Sequence, residues 1–237
     1  MTGRPAPEGP RPIASRRHTL ILVAILVAVT FVMAAEVRRP EAAAGQSHVP
    51  RYLVLAVSEW LLALYAANGI RASGTPLREI LGIRWRSARA GAATLLWAAG
   101  FWLVKSVVLF FIARGVALAG LASAVEDQRT MRVMAPHGAL EAALWIIVSA
   151  SAGVCEEFVF RGYLQRQLGA LVRSPGLGLV ASATIFGLGH LYQGPGPVIT
   201  ITVFGLLFGG LAMASRSLAP GIVVHAVQDA IAGLTHG

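Results

Sequence analysis

The chain has 237 residues, of which 56% are hydrophobic and only 13% are charged, whereas an ordinary soluble domain is about 25% charged. This composition argues against a water-soluble monomer. The excess of 20 basic over 11 acidic residues does not indicate a nucleic-acid partner, because the basic residues lie in short breaks between apolar segments and not along one face. Lipid headgroups and membrane topology explain this distribution better.

The apolar segments predict an all-α, multi-pass membrane protein. Residues 1–17 are rich in proline, glycine and arginine and predict a disordered basic tail. From Ser174 to Ser215, 42 consecutive residues lack Asp, Glu, Lys and Arg, enough for about two helical bilayer crossings. We expect about seven to eight transmembrane helices, of which seven are placed near residues 19–35, 52–70, 91–112, 140–157, 176–191, 197–214 and 218–235.

Two shorter patterns refine this prediction. In 162–172, leucines at helical spacing alternate with Gln and Arg, which predicts an amphipathic extension lying at the membrane interface. Gly205-xxx-Gly209 and Ala183-xxx-Gly187 are small-xxx-small patterns that predict close helix packing.

Arginine distribution predicts the orientation in the membrane. If successive spans cross the membrane in alternating directions, 13 of the 19 arginines lie on one side of the membrane and six on the other. Because cytoplasmic loops carry the basic excess, we expect an integral membrane protein with a cytoplasmic N-terminus. The segments with the excess are 1–18, 71–89, 161–173 and position 216. The first apolar segment is interpreted as an uncleaved span, since residues 36–40 after it are a poor cleavage site.

Ionisable residues inside apolar spans indicate function, since a charge near the bilayer centre costs about 2.5 to 3.5 kcal/mol. The fourth span ends in Glu156-Glu157, followed by Arg161. Glu157 and Arg161 are i,i+4 neighbours that can pair, whereas Glu156 points about 100° away around a helix. One carboxylate is therefore neutralised and the other stays available.

Two later spans carry further polar residues. His190 follows Phe186 by one turn in the fifth span, and His225 precedes Asp229 by one turn in the seventh. If the helix faces that carry these residues meet the face that carries Glu156, the bundle interior holds the groups needed to activate a water and stabilise an oxyanion.

These three motifs resemble the CAAX prenyl endopeptidases of the Ras-converting type and their bacterial relatives, the CAAX protease and bacteriocin-processing (CPBP, or Abi) intramembrane proteases. The family pattern of EExxxR, FxxxH and HxxxN or HxxxD is matched by Glu156-Glu157-xxx-Arg161, Phe186-xxx-His190 and His225-xxx-Asp229. The resemblance covers about residues 140–235. It implies a catalytic transmembrane core at 140–237, preceded by N-terminal transmembrane helices at 18–139.

The resemblance also implies roles for these residues. Glu156 is expected to be the general base that, with His190, activates the attacking water, while Glu157 and Arg161 form a supporting ion pair. His225 and Asp229 are expected on the oxyanion side. Where the eukaryotic pattern usually has an amide, this chain has Asp229, and an ionised carboxylate only accepts hydrogen bonds. Orienting or charging His225 is then its more natural role.

Other chemistries stay open at this point. No cofactor is firmly implied, but a zinc enzyme would use Glu156, His190 and His225 as three ligands. Outside the proteases, the polar residues suit a proton-coupled transporter or a non-catalytic membrane scaffold or immunity protein. Cleavage of a peptide would separate the first class from the others. The expected partners are the bilayer and a membrane-associated protein or peptide, including prenylated CAAX proteins. The oligomeric state is not indicated.

The remaining ionisable residues have plainer interpretations. Lys105, Glu59 and Glu141 are expected to be snorkelling side chains or interhelical partners. The lone Cys155 is expected to be a small buried hydrophobe, not a nucleophile. The histidines outside the motifs are expected at the surface, at span ends or in loops, and they are His18, His48, His137 and His236.

Overall fold

The protein folds into a bundle of helices. A computed structural model describes residues 11–37, 47–83, 87–121 and 134–236, which contain helices and their connections and no strand. The first four helices are α1 (Arg16–Val37), α2 (Val49–Ala72), α3 (Leu77–Leu81) and α4 (Ala88–Leu118). The later ones are α5 (Ala139–Glu156), a π segment (Glu157–Leu164), α6 (Gln165–Leu171), α7 (Pro175–Leu188), α8 (Pro195–Ser215) and α9 (Ala219–His236).

The helix lengths confirm an all-α, polytopic membrane protein. Five of the described helices are long and apolar enough to cross a bilayer: α1, α2, α4, the continuous helix over residues 139–171, and α8. The other two predicted spans are weaker. With 14 residues, α7 rises only about 21 Å against a hydrocarbon core of about 30 Å. The 18 residues of α9 carry His225 and Asp229.

The prediction for 162–172 is wrong. This segment continues the helix that begins at Ala139 and lies inside the protein, with Tyr163 and Leu164 fully buried. Its glutamines bond to protein and not to the interface: the Gln167 amide accepts from the backbone N–H of Ile13 and donates to the carbonyl of Ala14. The polar residues of this amphipathic pattern therefore form hydrogen bonds inside the protein and do not face the membrane interface.

The same contacts correct the N-terminal prediction. Residues 13 and 14 are held by Gln167, and Ala14 is only 8% exposed. The disordered tail predicted to residue 17 thus does not extend through these residues, and α1 begins at Arg16. Residues 1–10 lie outside the described part of the chain.

Small residues bring the C-terminal helices into close contact. Gly205 of α8 lies against Ala183 of α7, where an added Cβ would be 3.0 Å from the Ala183 Cα. Gly153 of α5 lies against α9, where a Cβ would be 2.9 Å from both the Ala226 nitrogen and the Ile222 oxygen. The predicted packing role of the small residues of α7 and α8 is confirmed, and α5 and α9 approach closely beside the polar motifs.

Candidate active site

His225 lies at the centre of the polar cluster, with carboxylates on both sides of its ring. Its Nδ1 is 3.0 Å from Glu157 Oε1. Because a carboxylate only accepts, Nδ1–H is the donor. On the other side, Nε2 lies 3.6 Å from Glu156 Oε2 and 3.5 Å from Asp229 Oδ2. The imidazole is 4% exposed, so these charges act on it with little screening.

Glu157 and Arg161 form the predicted pair. Arg161 Nη1 is 2.9 Å from Glu157 Oε1, and both side chains are nearly inaccessible to solvent. The guanidinium also lies over three aromatic rings, those of Phe186, Phe204 and Phe208, at 4.5, 5.9 and 5.4 Å. Glu157 Oε1 therefore contacts both Arg161 Nη1 and His225 Nδ1, and the contact with His225 was not predicted.

The local helix geometry explains how two adjacent glutamates reach one imidazole. Glu156 ends the α-helical turns of α5, and Glu157 begins the π segment. A π turn is wider than an α turn and changes the direction of the side chains that follow it, and such turns often mark functional sites. Glu156 is 24% exposed at its side chain and Glu157 is 1% exposed, so the accessible carboxylate is that of Glu156.

His190 lies in a turn and not on the predicted span. Helix α7 ends at Leu188, and a short 3₁₀ helix follows at Leu191–Gln193. The His190 Nδ1–H donates to the carbonyl of Phe186 at 2.9 Å. This bond fixes the ring and leaves Nε2 as the free nitrogen.

One cavity of about 290 Å³ joins these groups. Glu156, His190, His225 and Asp229 all contribute to its wall, whereas Glu157 and Arg161 do not. The predicted residues are thus divided into four that line the cavity and a buried pair behind His225. A water molecule placed in this cavity has a carboxylate and imidazoles within the same space.

Glu59 and Tyr192 are among the residues of this cavity that the sequence analysis did not assign to the site. The carboxylate oxygen Oε2 of Glu59 is buried and has no hydrogen-bond partner among the described residues. A single acidic residue in the apolar span 52–70 could have indicated a functional role, but the sequence analysis interpreted Glu59 as a snorkelling side chain or an interhelical partner. Burial raises the pKa of Tyr192 to about 12, so its phenol keeps its proton at neutral pH.

Other predictions for ionisable residues can now be compared with the structure. Lys105 donates to the Gln228 side chain, which joins α4 to α9 as an interhelical partner. Glu141 accepts from the backbone N–H of His48 at 2.8 Å and is likewise interhelical. Cys155 is 1% exposed and has a packing role.

The surface prediction for the remaining histidines is partly wrong. His48 is only 6% exposed, and its Nδ1 bonds to the carbonyl of Ala135. His18 is half-buried and stacks on the Tyr65 ring at 4.0 Å. His137 is exposed, as predicted. The side chain of His236 lies outside the described residues.

The described side chains do not form a metal centre. Within residues 11–37, 47–83, 87–121 and 134–236, no three His, Cys, Asp or Glu side chains are grouped so that they could hold a metal ion. Of the three proposed zinc ligands, His225 donates Nδ1–H to Glu157 and His190 donates Nδ1–H to Phe186, which leaves Nε2 of each ring as the nitrogen that could bind a metal. These bonds are compatible with zinc binding, but the described side chains do not bring three ligands together.

Comparison with known proteins identifies the region that contains the site. Residues 138–231 match the family model described as type II CAAX prenyl endopeptidase Rce1-like. Neither the comparison with curated proteins nor that with solved structures gave a match. All three motifs lie inside the matched range, which also covers α5 to most of α9. The resemblance found in the sequence is confirmed over residues 138–231, which are similar to the Rce1-like type II CAAX prenyl endopeptidases.

Proposed function

We propose that the chain is an intramembrane endopeptidase acting on membrane-associated proteins or peptides, with prenylated CAAX-type proteins as the leading substrate class. One observation carries the proposal: Glu156, His190, His225 and Asp229 meet in one cavity of the helical bundle. The family match over residues 138–231 supports hydrolysis as the reaction. In this proposal, residues 140–237 form the catalytic core and 18–139 the helices that surround it.

Glu156 is the proposed general base. It is the more exposed carboxylate of the doublet and, unlike Glu157, makes no ion pair with arginine among the described residues. It takes a proton from the attacking water while the water oxygen forms a bond to the scissile carbonyl carbon. His190 accepts a hydrogen bond from that water at Nε2, since its Nδ1–H is engaged by Phe186. The tetrahedral intermediate then collapses as the C–N bond breaks, and the proton held by Glu156 passes to the leaving amine.

His225 is the proposed oxyanion group. Its Nδ1–H donates to Glu157, so Nε2 donates to an oxyanion only when the ring is positively charged. Carboxylates on both sides of the ring stabilise this charge. Asp229 then acts by charging and orienting His225, and Arg161 acts by holding Glu157 in place.

Replacing the base tests this proposal. Glu156→Gln keeps the shape of the side chain and removes its ability to take a proton. We therefore expect the cleavage rate to fall by about 100-fold or more. The measurement is hydrolysis of a farnesylated CAAX peptide by purified protein in lipid nanodiscs. Glu79→Gln, which removes an exposed carboxylate outside the active cavity, is the matched control. Full activity of Glu156→Gln would exclude Glu156 as the base.

Cellular proteomics extends the test beyond CAAX substrates. Membrane proteomes of cells producing the wild-type chain or Glu156→Gln are compared for fragments found only with the wild type. Such fragments, without cleavage of the farnesylated peptide, would assign a different substrate class to the same chemistry. Absence of cleavage in both experiments would favour the proton-coupled transporter or the non-catalytic scaffold.

A further inference from the structure

A second cavity, of about 500 Å³, lies away from the active cavity and is rich in arginine. Its wall includes Arg78 of α3, Arg161 and Arg166 of the helix 139–171, and Arg216 at the end of α8. Glu79 is the one acidic residue among its lining residues. The cavity therefore carries a strong positive charge.

The walls of this basic cavity are held together by specific contacts. The Arg166 guanidinium donates to the carbonyls of Glu79 and Ile80, at 3.4 and 3.1 Å. The backbone N–H of Leu218 donates to the carbonyl of Leu81 at 2.9 Å. Gly82 has a positive φ of 59°, and a Cβ there would be 2.2 Å from the Arg216 carbonyl oxygen. These contacts fix α3 against the end of α8.

Arg161 is a buried arginine in the wall of this cavity. Its side chain is 2% exposed, and its Nη1 lies 2.9 Å from Glu157 Oε1. Neither Nη1 nor Nη2, however, has a partner in hydrogen-bonding geometry among the described residues. A guanidinium has five N–H donors, and leaving buried donors unsatisfied costs about 1 to 3 kcal/mol or more for a charged group. Both terminal nitrogens lie away from solvent, against Glu157 and the phenylalanine rings, so Arg161 acts on a ligand in the basic cavity through its charge and not through these donors.

The chemistry of the lining residues identifies the class of ligand. The planar donor pattern of arginine matches phosphate oxygens better than a point charge does. The lining residues come from 78–83, 161–166 and 212–216, and their four arginines belong to the segments that the arginine distribution assigns to the cytoplasmic side. Basic pockets between transmembrane helices at the cytoplasmic side bind phosphate-bearing headgroups. We propose that the cavity lined by Arg78, Arg161, Arg166 and Arg216 binds a phosphate group.

This phosphate could come from an anionic lipid or from solution, and two probes distinguish the sources. Thermal unfolding of the purified full chain in neutral detergent is measured with dioleoylphosphatidylglycerol, against dioleoylphosphatidylcholine as the zwitterionic control. The same measurement is made with inorganic phosphate, against chloride at equal ionic strength. Stabilisation by phosphatidylglycerol alone assigns a lipid headgroup. Equal stabilisation by inorganic phosphate assigns a free phosphate.

The variants remove exposed arginines that make no contribution to the proposed catalytic machinery. Arg78→Gln and Arg216→Gln should each raise the half-saturating concentration of the effective probe about tenfold. Arg71→Gln removes a charge from the same end of the bundle, outside the cavity lining, and should leave binding unchanged. The proposal is overturned if neither probe stabilises the wild type. It is also overturned if Arg71→Gln weakens binding as much as the cavity variants do.

Discussion

His225 meets a different carboxylate on each side of its ring. The contact between Nδ1 and Glu157 has hydrogen-bonding geometry at 3.0 Å, whereas the distances from Nε2 to Glu156 and Asp229 are 3.6 and 3.5 Å. Glu157 therefore holds the ring at Nδ1, while Asp229 lies on the Nε2 side. The longer distances on the other side leave Nε2 available to a third group, which in the proposed mechanism is the substrate oxygen.

Two substitutions of Asp229 separate the effect of its charge from the effect of its side-chain shape. Asp229→Asn preserves the side-chain shape but removes the negative charge near Nε2, so we expect cleavage to fall about tenfold. Asp229→Ala removes both and should lower cleavage at least about 100-fold. Rates measured with the two purified variants check this order. If Asp229→Ala cleaves as well as the wild type, this residue does not belong to the site.

Glu59 is a half-buried acidic residue in the wall of the active cavity. Its Oε2 lacks a hydrogen-bond partner among the described residues, and it lines the active cavity. We expect Glu59→Gln to leave the free energy of unfolding unchanged or to raise it by up to about 1 kcal/mol, because burial already disfavours the charged form of the carboxyl group and the amide has nearly the same shape. Cleavage should fall at the same time, since the carboxylate faces the space in which water attacks.

Thermal unfolding in detergent and cleavage rates, measured on the same preparation, test both parts of the Glu59 prediction. The matched control is again Glu79→Gln, whose carboxylate is exposed and already solvated. A loss of stability in Glu59→Gln would mean that the carboxylate has a structural partner. Unchanged cleavage would mean that it has no part in the reaction.

The junction of α5 with the π segment determines which carboxylate reaches which partner. On an ideal α-helix, Glu156 and Glu157 point about 100° apart, which predicted that only Glu157 is neutralised. In the structure both approach His225, from opposite sides of its ring. The pair of Glu157 with Arg161 was predictable because i,i+4 spacing is local. The contact of Glu157 with His225 was not, since it joins residues 68 positions apart.

The close approach of α5 and α9 at Gly153 gives a prediction at the scale of helices. Gly153→Ala would place a Cβ 2.9 Å from backbone atoms of α9, which cannot move without separating the two helices. We expect a loss of about 1 to 3 kcal/mol in stability. We also expect up to about a 100-fold loss of cleavage, because Glu156 and His225 would move apart.

Gly210→Ala on α8 is the control for this helix-packing prediction. A Cβ at Gly210 meets nothing within 4 Å, so this change should leave cleavage intact and stabilise the helix slightly. Thermal unfolding and cleavage are measured for both variants. Equal behaviour of the two would show that the α5–α9 contact does not position the site.

Sequence patterns predicted most of the membrane fold because span length and composition are local properties. They failed where tertiary contacts decide the outcome. The segment 162–172 is buried, since Gln167 finds internal partners, and His48 is buried by its bonds to Ala135 and Glu141. His190 was assigned to a span, but the helix ends two residues earlier. The spacing of hydrophobic residues along the sequence carries no information about such contacts between distant residues.

The active cavity and the basic cavity are lined by different sets of connections. Met134, Tyr192 and Gln193, from connections predicted to lie outside, line the active cavity. Arg78 and Arg216, from connections predicted to lie inside, line the basic cavity. The arginine excess would then face the anionic cytoplasmic surface, and the active cavity would extend toward the opposite side.

This orientation can be measured with single cysteines, because the one natural thiol, Cys155, is 1% exposed and should not react in the folded protein. His137 and Ser73 are both exposed and lie on opposite predicted sides. In intact cells, we expect a membrane-impermeant maleimide to label His137→Cys, whereas Ser73→Cys should be labelled only after the membrane is disrupted. The unsubstituted chain is the control for reaction at Cys155. The reverse pattern would place the N-terminus outside and contradict the orientation inferred from the arginines.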